Sequence, residues 1–546
     1  MAIVTLVLLL LLAVAASGFL ARMLPVAVPL PLVQVALGAA IAGLAGVTID
    51  LRPEIFFLLI LPPLLFLDGW RIPKHGLMRD ARPILQLALG LVVFTVVGVG
   101  WFIHWLIPAI PLPVAFALAA VLAPTDPVAV SAITRRTPFP ERLMRILEAE
   151  SLLNDASGLV CLRFAVAAAV TGVFSLPDAM LTFLWLALGG VAVGAGFTLV
   201  VSFIKARLAR RFGEDPGAEV LISLLIPLGA YLAAEALHCS GILAAVAAGV
   251  AMSFAEIGGQ LQAGTRVRRS AVWDTVAFTA NGAVFVLLGQ QMPSILEKAT
   301  RTVRQSGQQD AWWLLVYVLA ITLALAALRF VWVWVSIRLA GLRHERRGEA
   351  FERPSWRMVA AISLAGVRGA VSLAGVLTIP FFVADGSPMP ARNLVIFLVA
   401  GVILVSLILA AVALPWAMKG LVASIDPDRQ GEEGAARVAA AKAAIRAIER
   451  AQHELPGDEA DADLQAEAAA RIMGLYRRRI DGHSREAGEA ALIQKLEEID
   501  RDLRLAALQA ERDELFRLVR RRALKDDIAR DLVREIDLME TRWRSS

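Results

Sequence analysis

Two prolines enclose a threonine and an aspartate in the middle of a long apolar stretch, at residues 123–127 (APTDP). Proline lacks a backbone N–H and clashes with the preceding helical turn, so a helix is expected to unwind at Thr125 and Asp126. Unwound backbone at membrane depth is tolerated only where it lines a cavity or is buried in protein. The segment therefore predicts a hydroxyl, a carboxylate and free carbonyls held together inside the molecule; a simple proline kink is the alternative.

A second polar group occurs at residues 150–155 (ESLLND), near the start of the next apolar stretch. Ser151 and Asp155 are four residues apart, so their hydroxyl and carboxylate lie on one face of a helix. Glu150 lies about 100° around the helix from Ser151 and can face a cation elsewhere. The alternative interpretation of this segment is a capped helix start that faces water.

Together the two segments supply oxygen ligands and one amide, from Thr125, Asp126, Ser151, Asn154 and Asp155. Ligands of this kind suit a small, hard cation rather than a soft transition metal. An ionisable group at mid-bilayer also costs at least ~2.5–3.5 kcal/mol, so each one is a functional hypothesis. The ionisable candidates within apolar stretches are Asp68, Asp126, Glu150, Asp155, Arg163, Glu235, Arg329 and Arg368.

A third segment, residues 366–370 (GVRGA), places two glycines around Arg368 in a further apolar stretch. Glycine permits a helix break and a close approach of backbone. The segments 123–127 and 366–370 fall in the fifth and twelfth apolar stretches, which would be equivalent members of two repeats. Paired interrupted helices in corresponding halves of a chain are the best sequence indication of a transporter's midplane site.

The composition indicates the elements that must hold these residues. The chain has 546 residues, of which 58% are hydrophobic and 19% charged, whereas a soluble domain is typically about 45–50% apolar and about 25% charged. A single large soluble domain and a disordered chain are therefore excluded. A disulfide scaffold is excluded as well, because Cys161 and Cys239 are the only two cysteines. We predict an all-α polytopic membrane protein.

About 13 stretches are long and apolar enough to cross a membrane, since a crossing helix needs roughly 20 mostly apolar residues. They lie near 2–24, 27–47, 51–69, 83–107, 111–134, 146–172, 177–204, 218–237, 239–257, 271–294, 311–340, 357–384 and 391–418. The predicted loops on one side hold about 22 basic residues, and those on the other side about five. Positively charged loops stay in the cytoplasm, which predicts an N-terminus outside and a C-terminus inside.

The C-terminal part of the chain has a different composition. From residue 425 onward there are 23 Lys and Arg against 27 Asp and Glu, whereas the whole chain has a net charge of +5. Runs rich in Ala, Glu, Arg and Leu, such as 435–453 and 488–523, are typical of helices with charge pairs four residues apart. We predict a transmembrane domain at residues 1–424 and a helical cytoplasmic tail at residues 425–546.

Three strings resemble those of the bacterial NhaP-type sodium/proton antiporters and the related animal sodium/proton exchangers. They are APTDPVAVSAI (123–133), ESLLNDASGLV (150–160) and GVRGAVSLAG (366–375). With LPPLLFLDGW (61–70), the resemblance extends over residues 1–420. It implies a 13-span fold with a dimerisation domain and a core domain that holds crossed, unwound fifth and twelfth helices.

The resemblance also implies roles for single residues. Asp155 would be the ion-binding carboxylate, with Ser151 and Thr125 as further ligands of a monovalent cation. Asp126 would lie at the helix crossing and join that ligand set, and Asn154 marks the class that carries Asn-Asp rather than Asp-Asp. Arg329 would pair with Glu150, and Arg368 would stabilise the broken twelfth helix. In the third span, relatives often carry an acidic residue where this chain has Leu67, and Asp68 follows as the candidate in its place.

These features predict a secondary active transporter, not an enzyme, that exchanges sodium or lithium for protons by alternating access. Asp155 would bind either a proton or a cation, and because Asn154 cannot titrate, the exchange is expected to be electroneutral, one proton per cation. No cofactor and no nucleic acid is expected. The expected partners are monovalent cations, protons, membrane lipid and a second copy of the chain, in the inner membrane of a bacterium.

Three alternatives remain open from the sequence. A potassium/proton antiporter of the same fold shares every one of these motifs. A cation channel would need a selectivity filter repeated by symmetry and no carboxylate that alternates between proton and cation. An intramembrane aspartyl protease would need two catalytic carboxylates, and although Asp126 and Asp155 superficially fit, no Gly-x-Gly-Asp string occurs.

Overall fold

The computed structural model describes most of the chain. The described residues are 2–24, 28–45, 59–71, 86–134, 141–171, 176–256, 263–305, 312–345, 355–383, 386–418, 427–454, 459–484, 487–521 and 526–544. Within them the regular elements are helices, apart from one bridge between Phe382 and Pro388. The predicted all-α architecture is therefore confirmed.

The membrane part consists of fifteen α-helices and one π-helical segment, counted over the described residues. In chain order they are α1 (Ala2–Met23), α2 (Leu30–Ala45), α3 (Leu61–Arg71), the π-helical segment Gln86–Leu91, α4 (Val92–Leu106), α5 (Leu112–Leu122), α6 (Pro127–Thr134), α7 (Glu141–Thr171), α8 (Leu176–Phe212), α9 (Pro216–Ala236), α10 (Gly241–Ala255), α11 (Ala263–Gln305), α12 (Trp313–Glu345), α13 (Trp356–Leu364), α14 (Ala370–Leu377) and α15 (Arg392–Met418).

Seven helical stretches among the described residues are long and apolar enough to cross a membrane, and four shorter helices are also apolar. The helices follow the predicted spans in order, although residues 51–58 of the third span lie outside the described residues. The count of thirteen crossings stays a prediction. The clearest difference is α11, which extends beyond the predicted 271–294 at both ends because charged turns continue the helix past the apolar stretch.

Both predicted helix breaks are present. The fifth span is divided between α5, which ends at Leu122, and α6, which begins at Pro127. The twelfth span is divided between α13, which ends at Leu364, and α14, which begins at Ala370. Proline explains the first break, because its ring blocks the preceding turn, and the glycines on both sides of Arg368 explain the second.

The membrane helices pack as two bundles, which we name by their helices. The scaffold bundle contains α1–α3 and α8–α11, and the site bundle contains α4–α7 and α12–α15, with α11 also packing against α15. Within the scaffold bundle, α3 and α10 approach so closely that a Cβ at Gly249 would overlap the carbonyl of Phe66. Both broken spans belong to the site bundle, whereas Asp68 lies on α3 of the scaffold bundle.

The chain divides into two compact units, Met1–Ala423 and Ser424–Ser546. The second unit contains four helices among its described residues: α16 (Pro427–Glu454), α17 (Glu459–Ser484), α18 (Ala487–Arg520) and α19 (Asp526–Arg544). Helix α16 packs against α17, and α18 packs against α19. Arg512 of α18 forms an ion pair with Asp537 of α19 (2.8 Å), and Leu508 of α18 is buried.

Candidate functional site

The two broken spans meet at their unwound segments. The backbone N–H of Asp126 donates a hydrogen bond to the carbonyl of Val367 (2.7 Å). The carboxylate of Asp126 lies against Gly369, at the N-terminal end of α14, where a Cβ would overlap it. The N-terminus of a helix carries a partial positive charge, so the Asp126 carboxylate compensates it. Asp126 is therefore held at the crossing of the two broken spans.

Arg368 makes the reciprocal contact from the other break. Its Nε donates to the carbonyl of Leu122 (2.9 Å), the last residue of α5, and its Nη1 donates to the carbonyl of Gly366. Its backbone N–H donates to the hydroxyl of Ser406 on α15 (3.3 Å). The C-terminus of a helix carries a partial negative charge and carbonyls without helical partners, so the guanidinium both compensates and satisfies it. Each break thus supplies the charge that the other break requires.

Substitution of Gly369 tests this crossing. Gly369→Ala places a Cβ into the Asp126 carboxylate, and overpacking of a buried contact typically costs about 1–3 kcal/mol. We expect a lower thermal unfolding midpoint of the purified protein and a loss of transport. Gly196→Ala on α8 is the matched control, since no described neighbour lies within 4 Å of that Cβ. Equal midpoints for the two variants would contradict the close contact.

Helix α7 attaches to the unwound part of the fifth span through two polar side chains and one glycine. The Ser151 hydroxyl donates to the carbonyl of Thr125 (2.8 Å), and Asn154 Nδ2 donates to the Thr125 hydroxyl (3.0 Å). One turn later, Gly158 packs against the ring of Pro124, where a Cβ would lie 2.5 Å from Cγ. Three members of the predicted ion-binding set, Thr125, Ser151 and Asn154, are therefore in direct contact.

Oxygen atoms of this group remain available to bind a cation. Asn154 Oδ1 is buried and has no hydrogen-bond partner in the described part of the chain. Asp155 is buried, with 5% of its surface exposed, and follows Asn154 directly on α7. A buried carbonyl oxygen without a hydrogen-bond partner is costly, and a buried carboxylate is costly unless a cation or a proton neutralises it. The arrangement can therefore hold a small cation at Asp155.

Asp68 lies near this group but belongs to the scaffold bundle. Its side chain is exposed, and its carboxylate lies within electrostatic range of Asp126 and Asp155. Across the described residues, no three His, Cys, Asp or Glu side chains converge as a metal site would require. The structure thus places Asp68 at the junction of the two bundles, near Asp155 but apart from the hydrogen-bonded set of α7 and the fifth span.

Glu150 and Arg329 form a buried, bidentate ion pair beside the break of the twelfth span. Arg329 Nη1 and Nη2 donate to Glu150 Oε1 and Oε2 at 2.6 and 2.8 Å, and Nε donates to the carbonyl of Ile362 (3.2 Å). The two side chains are 0% and 2% exposed. The pair joins α7 to α12, and the bond to Ile362 fixes the last turn of α13 before the break. Its role is to hold the helices that carry the site.

Two contacts of the site were not identified from the sequence. Gly158 lies one helical turn from Asn154, and that spacing could have indicated the surface that accepts the broken span. Ser406 supports the backbone of Arg368 from α15, 38 residues further along the chain. A single serine in an apolar helix carries no sequence signal for such a contact.

Comparisons with known proteins give one family model, several related sequences and a similar fold. The family model described as sodium/hydrogen exchanger, transmembrane, matches residues 7–420. The chain is 39% identical to an uncharacterised Na+/H+ exchanger of Escherichia coli, covering 98% of this chain and 97% of that protein. It is also 39% identical to a sodium, potassium, lithium and rubidium/H+ antiporter of Bacillus pumilus, covering 99% of this chain and 78% of the relative. The solved structure of the antiporter MjNhaP1 of Methanocaldococcus jannaschii has a similar fold, with a TM-score of 0.56 at 19% identity, covering 77% and 99% of the two chains.

Proposed function

Since this chain belongs to the sodium/hydrogen exchanger family, we propose that it exchanges one sodium or lithium ion for one proton, with both competing for Asp155. Cation/proton antiport across a membrane is the function of the family. The observation that supports the site assignment is the buried carboxylate of Asp155, which follows Asn154, whose buried oxygen has no hydrogen-bond partner among the described residues. Transport without chemical conversion requires neither an enzyme's catalytic groups nor a cofactor.

The competition follows from the charge of the site. Asp155 is neutralised either by a proton or by a cation, and only the neutralised site can move across the apolar interior at low cost. Asp126 lies against the N-terminus of α14, so in this proposal it holds the helix crossing while Asp155 carries the exchanged proton or cation. Movement of the site bundle against the scaffold bundle would then expose Asp155 to alternate sides, as expected for transporters with broken helices.

One titrating carboxylate predicts electroneutral exchange. In proteoliposomes, a sodium gradient should drive proton flux without a sustained electrical current on a solid-supported membrane. The flux should also be insensitive to an imposed membrane potential, because each turnover moves one charge in each direction. A steady current, or a rate that follows the potential, would contradict the 1:1 ratio and would assign Asp68 a share of the transported charge.

Potassium is the second candidate cation. One specific observation favours including it: the Bacillus pumilus relative is named for sodium, potassium, lithium and rubidium. Proton flux driven separately by sodium, potassium and lithium in the same proteoliposomes distinguishes the two candidates. Comparable rates with potassium would make the chain a broad monovalent cation/proton antiporter, with the same site and mechanism.

We also propose a homodimer in the inner membrane of a bacterium, with its N-terminus outside and residues 425–546 in the cytoplasm. The orientation rests on the excess of basic residues in the loops of one side. The prediction that lipid contacts the outer surface is supported by exposed apolar side chains on α8, among them Leu188, Phe203 and Ile204. Cross-linking in native membranes and protease protection of the tail in inverted vesicles test these assignments.

A further inference from the structure

Arg163 and Glu235 are ionisable candidates from the apolar stretches that have no role in the site described above. Arg163 lies on α7, two turns after Asp155, and Glu235 lies in the last turn of α9. In the structure they pair with each other, with Arg163 Nη2 at 3.5 Å from Glu235 Oε1. A pairing between residues 72 positions apart is a tertiary contact that the two helices must maintain together.

This ion pair connects the two bundles. Arg163 belongs to the site bundle, because α7 carries Ser151, Asn154 and Asp155, and Glu235 belongs to the scaffold bundle. By contrast, several ion pairs among the described residues of the membrane part lie within one bundle. They include Arg71 with Asp274, Lys205 with Glu219, Arg269 with Glu256 and Arg301 with Glu297 in the scaffold bundle, and Glu150 with Arg329 in the site bundle.

Glu235 is the fixed partner of the pair. Its Oε1 also accepts a hydrogen bond from the backbone N–H of Gly241, the first residue of α10 (3.2 Å). The ring of Tyr231, one turn earlier on α9, packs against the same glycine, where a Cβ would lie 2.6 Å from the ring. Among the described residues, Arg163 forms an ion pair with Glu235 through the end of its long side chain, and both side chains are partly exposed, at 45% and 40%. The contact can therefore break without leaving a buried charge.

The pair lies on the side of the site away from the basic loops. Arg163 follows Asp155 by eight residues, which corresponds to about 12 Å along the helix axis. The N-terminal end of α7 follows a loop rich in basic residues, so its C-terminal end is predicted to face outward. An ion pair at this position joins the two bundles on the predicted outer side of Asp155.

We propose that Arg163 and Glu235 form a latch that is closed when the site faces inward and must open for Asp155 to face outward. This inference rests on the proposed alternating access of the two bundles. The opening of the latch is a step of the transport cycle because the two partners move with different bundles. A half-exposed ion pair is weak, so Glu235→Gln alone is expected to change the exchange rate at most about fivefold.

Reversible cross-linking tests the latch more sharply. Cys161→Ala and Cys239→Ala first remove the native thiols, since both cysteines are free. Arg163→Cys and Glu235→Cys are then added and joined with a short bis-methanethiosulfonate reagent in proteoliposomes. We expect sodium-driven proton flux to fall at least tenfold on cross-linking and to return after reduction. The flux of the cysteine-free protein checks the proposed function independently.

The matched control is Lys205→Cys with Glu219→Cys in the same background, a pair that joins α8 and α9 within the scaffold bundle. Cross-linking there should leave the flux unchanged, because the two residues move together. Flux that persists after complete cross-linking of positions 163 and 235 would overturn the latch. The same result would leave the proposed exchange function intact. The rate of cross-linking at these positions should also respond to the direction of an imposed pH gradient, and a rate independent of the gradient would equally overturn it.

Discussion

Asp155→Asn is expected to reduce sodium-driven proton flux at least a hundredfold, to the level of empty proteoliposomes, while the protein remains folded. An amide of the same shape can neither bind a proton for transport nor neutralise a cation, so both halves of the exchange are lost. Folding is preserved because burying a neutral amide costs less than burying a carboxylate. Asp155 is 5% exposed, and the hydrogen bonds at Thr125 are made by its neighbours Ser151 and Asn154.

Asp274→Asn is the matched control for this variant. Asp274 is a carboxylate on the same membrane part, but it is exposed and pairs with Arg71 within the scaffold bundle. Exposed pairs contribute about 0–1 kcal/mol, so this variant should exchange at nearly the normal rate. Size-exclusion elution and the thermal unfolding midpoint confirm folding in both cases. Sodium-driven flux that survives in Asp155→Asn would show that the transported ion is held elsewhere, with Asp68 as the next carboxylate to test.

Arg329→Ala is expected to abolish the recovery of folded protein. The substitution leaves Glu150 without its bidentate partner at a position that is 0% exposed. Removing one partner of a buried ion pair typically costs about 3–5 kcal/mol, because the remaining charge is buried without compensation. The loss also frees the carbonyl of Ile362, in the last turn of α13, which Arg329 Nε otherwise satisfies.

A second substitution separates the effect of the uncompensated charge from the effect of the lost packing. Adding Glu150→Gln to Arg329→Ala removes the uncompensated charge, and we expect part of the folded protein to return. Arg301→Ala is the control, since Arg301 and Glu297 are an exposed pair on one helix and should contribute within about 0.5 kcal/mol. The measurement is the yield of monodisperse protein and its unfolding midpoint. A normal midpoint for Arg329→Ala, or no rescue by Glu150→Gln, would show that the pair does not hold the helices.

The local features of the site were predictable from short segments of sequence. Residues 123–126 unwind because proline excludes the preceding helical turn, and residues 365–369 unwind because glycine tolerates the break. Ser151 and Asp155 share a helix face because their spacing is one turn. Each of these properties depends on steric effects within a few residues, which is why inspection of the sequence finds them.

The lengths of the helices were harder to predict than their existence. Helix α11 spans Ala263–Gln305, whereas the hydropathy pattern indicated only 271–294. The length of an apolar stretch corresponds to the thickness of the membrane. Backbone hydrogen bonds can continue the helix into charged residues beyond that stretch. The position of Asp68 was equally undetermined, because a one-residue change rotates a side chain by about 100° and only packing fixes where it ends.

The sequence by itself determined the class of the protein, the two breaks and the residue types that can bind a hard cation. It did so because apolar composition, proline and glycine act locally. The resemblance implied that the two breaks cross, but only the tertiary structure decided the atoms by which they meet, since the N–H of Asp126 bonds to Val367, far along the chain, and Arg368 reaches back to Leu122. It also decided that Arg163 and Glu235 face each other across the two bundles. Such contacts depend on how whole helices pack, and no short segment of sequence contains that information.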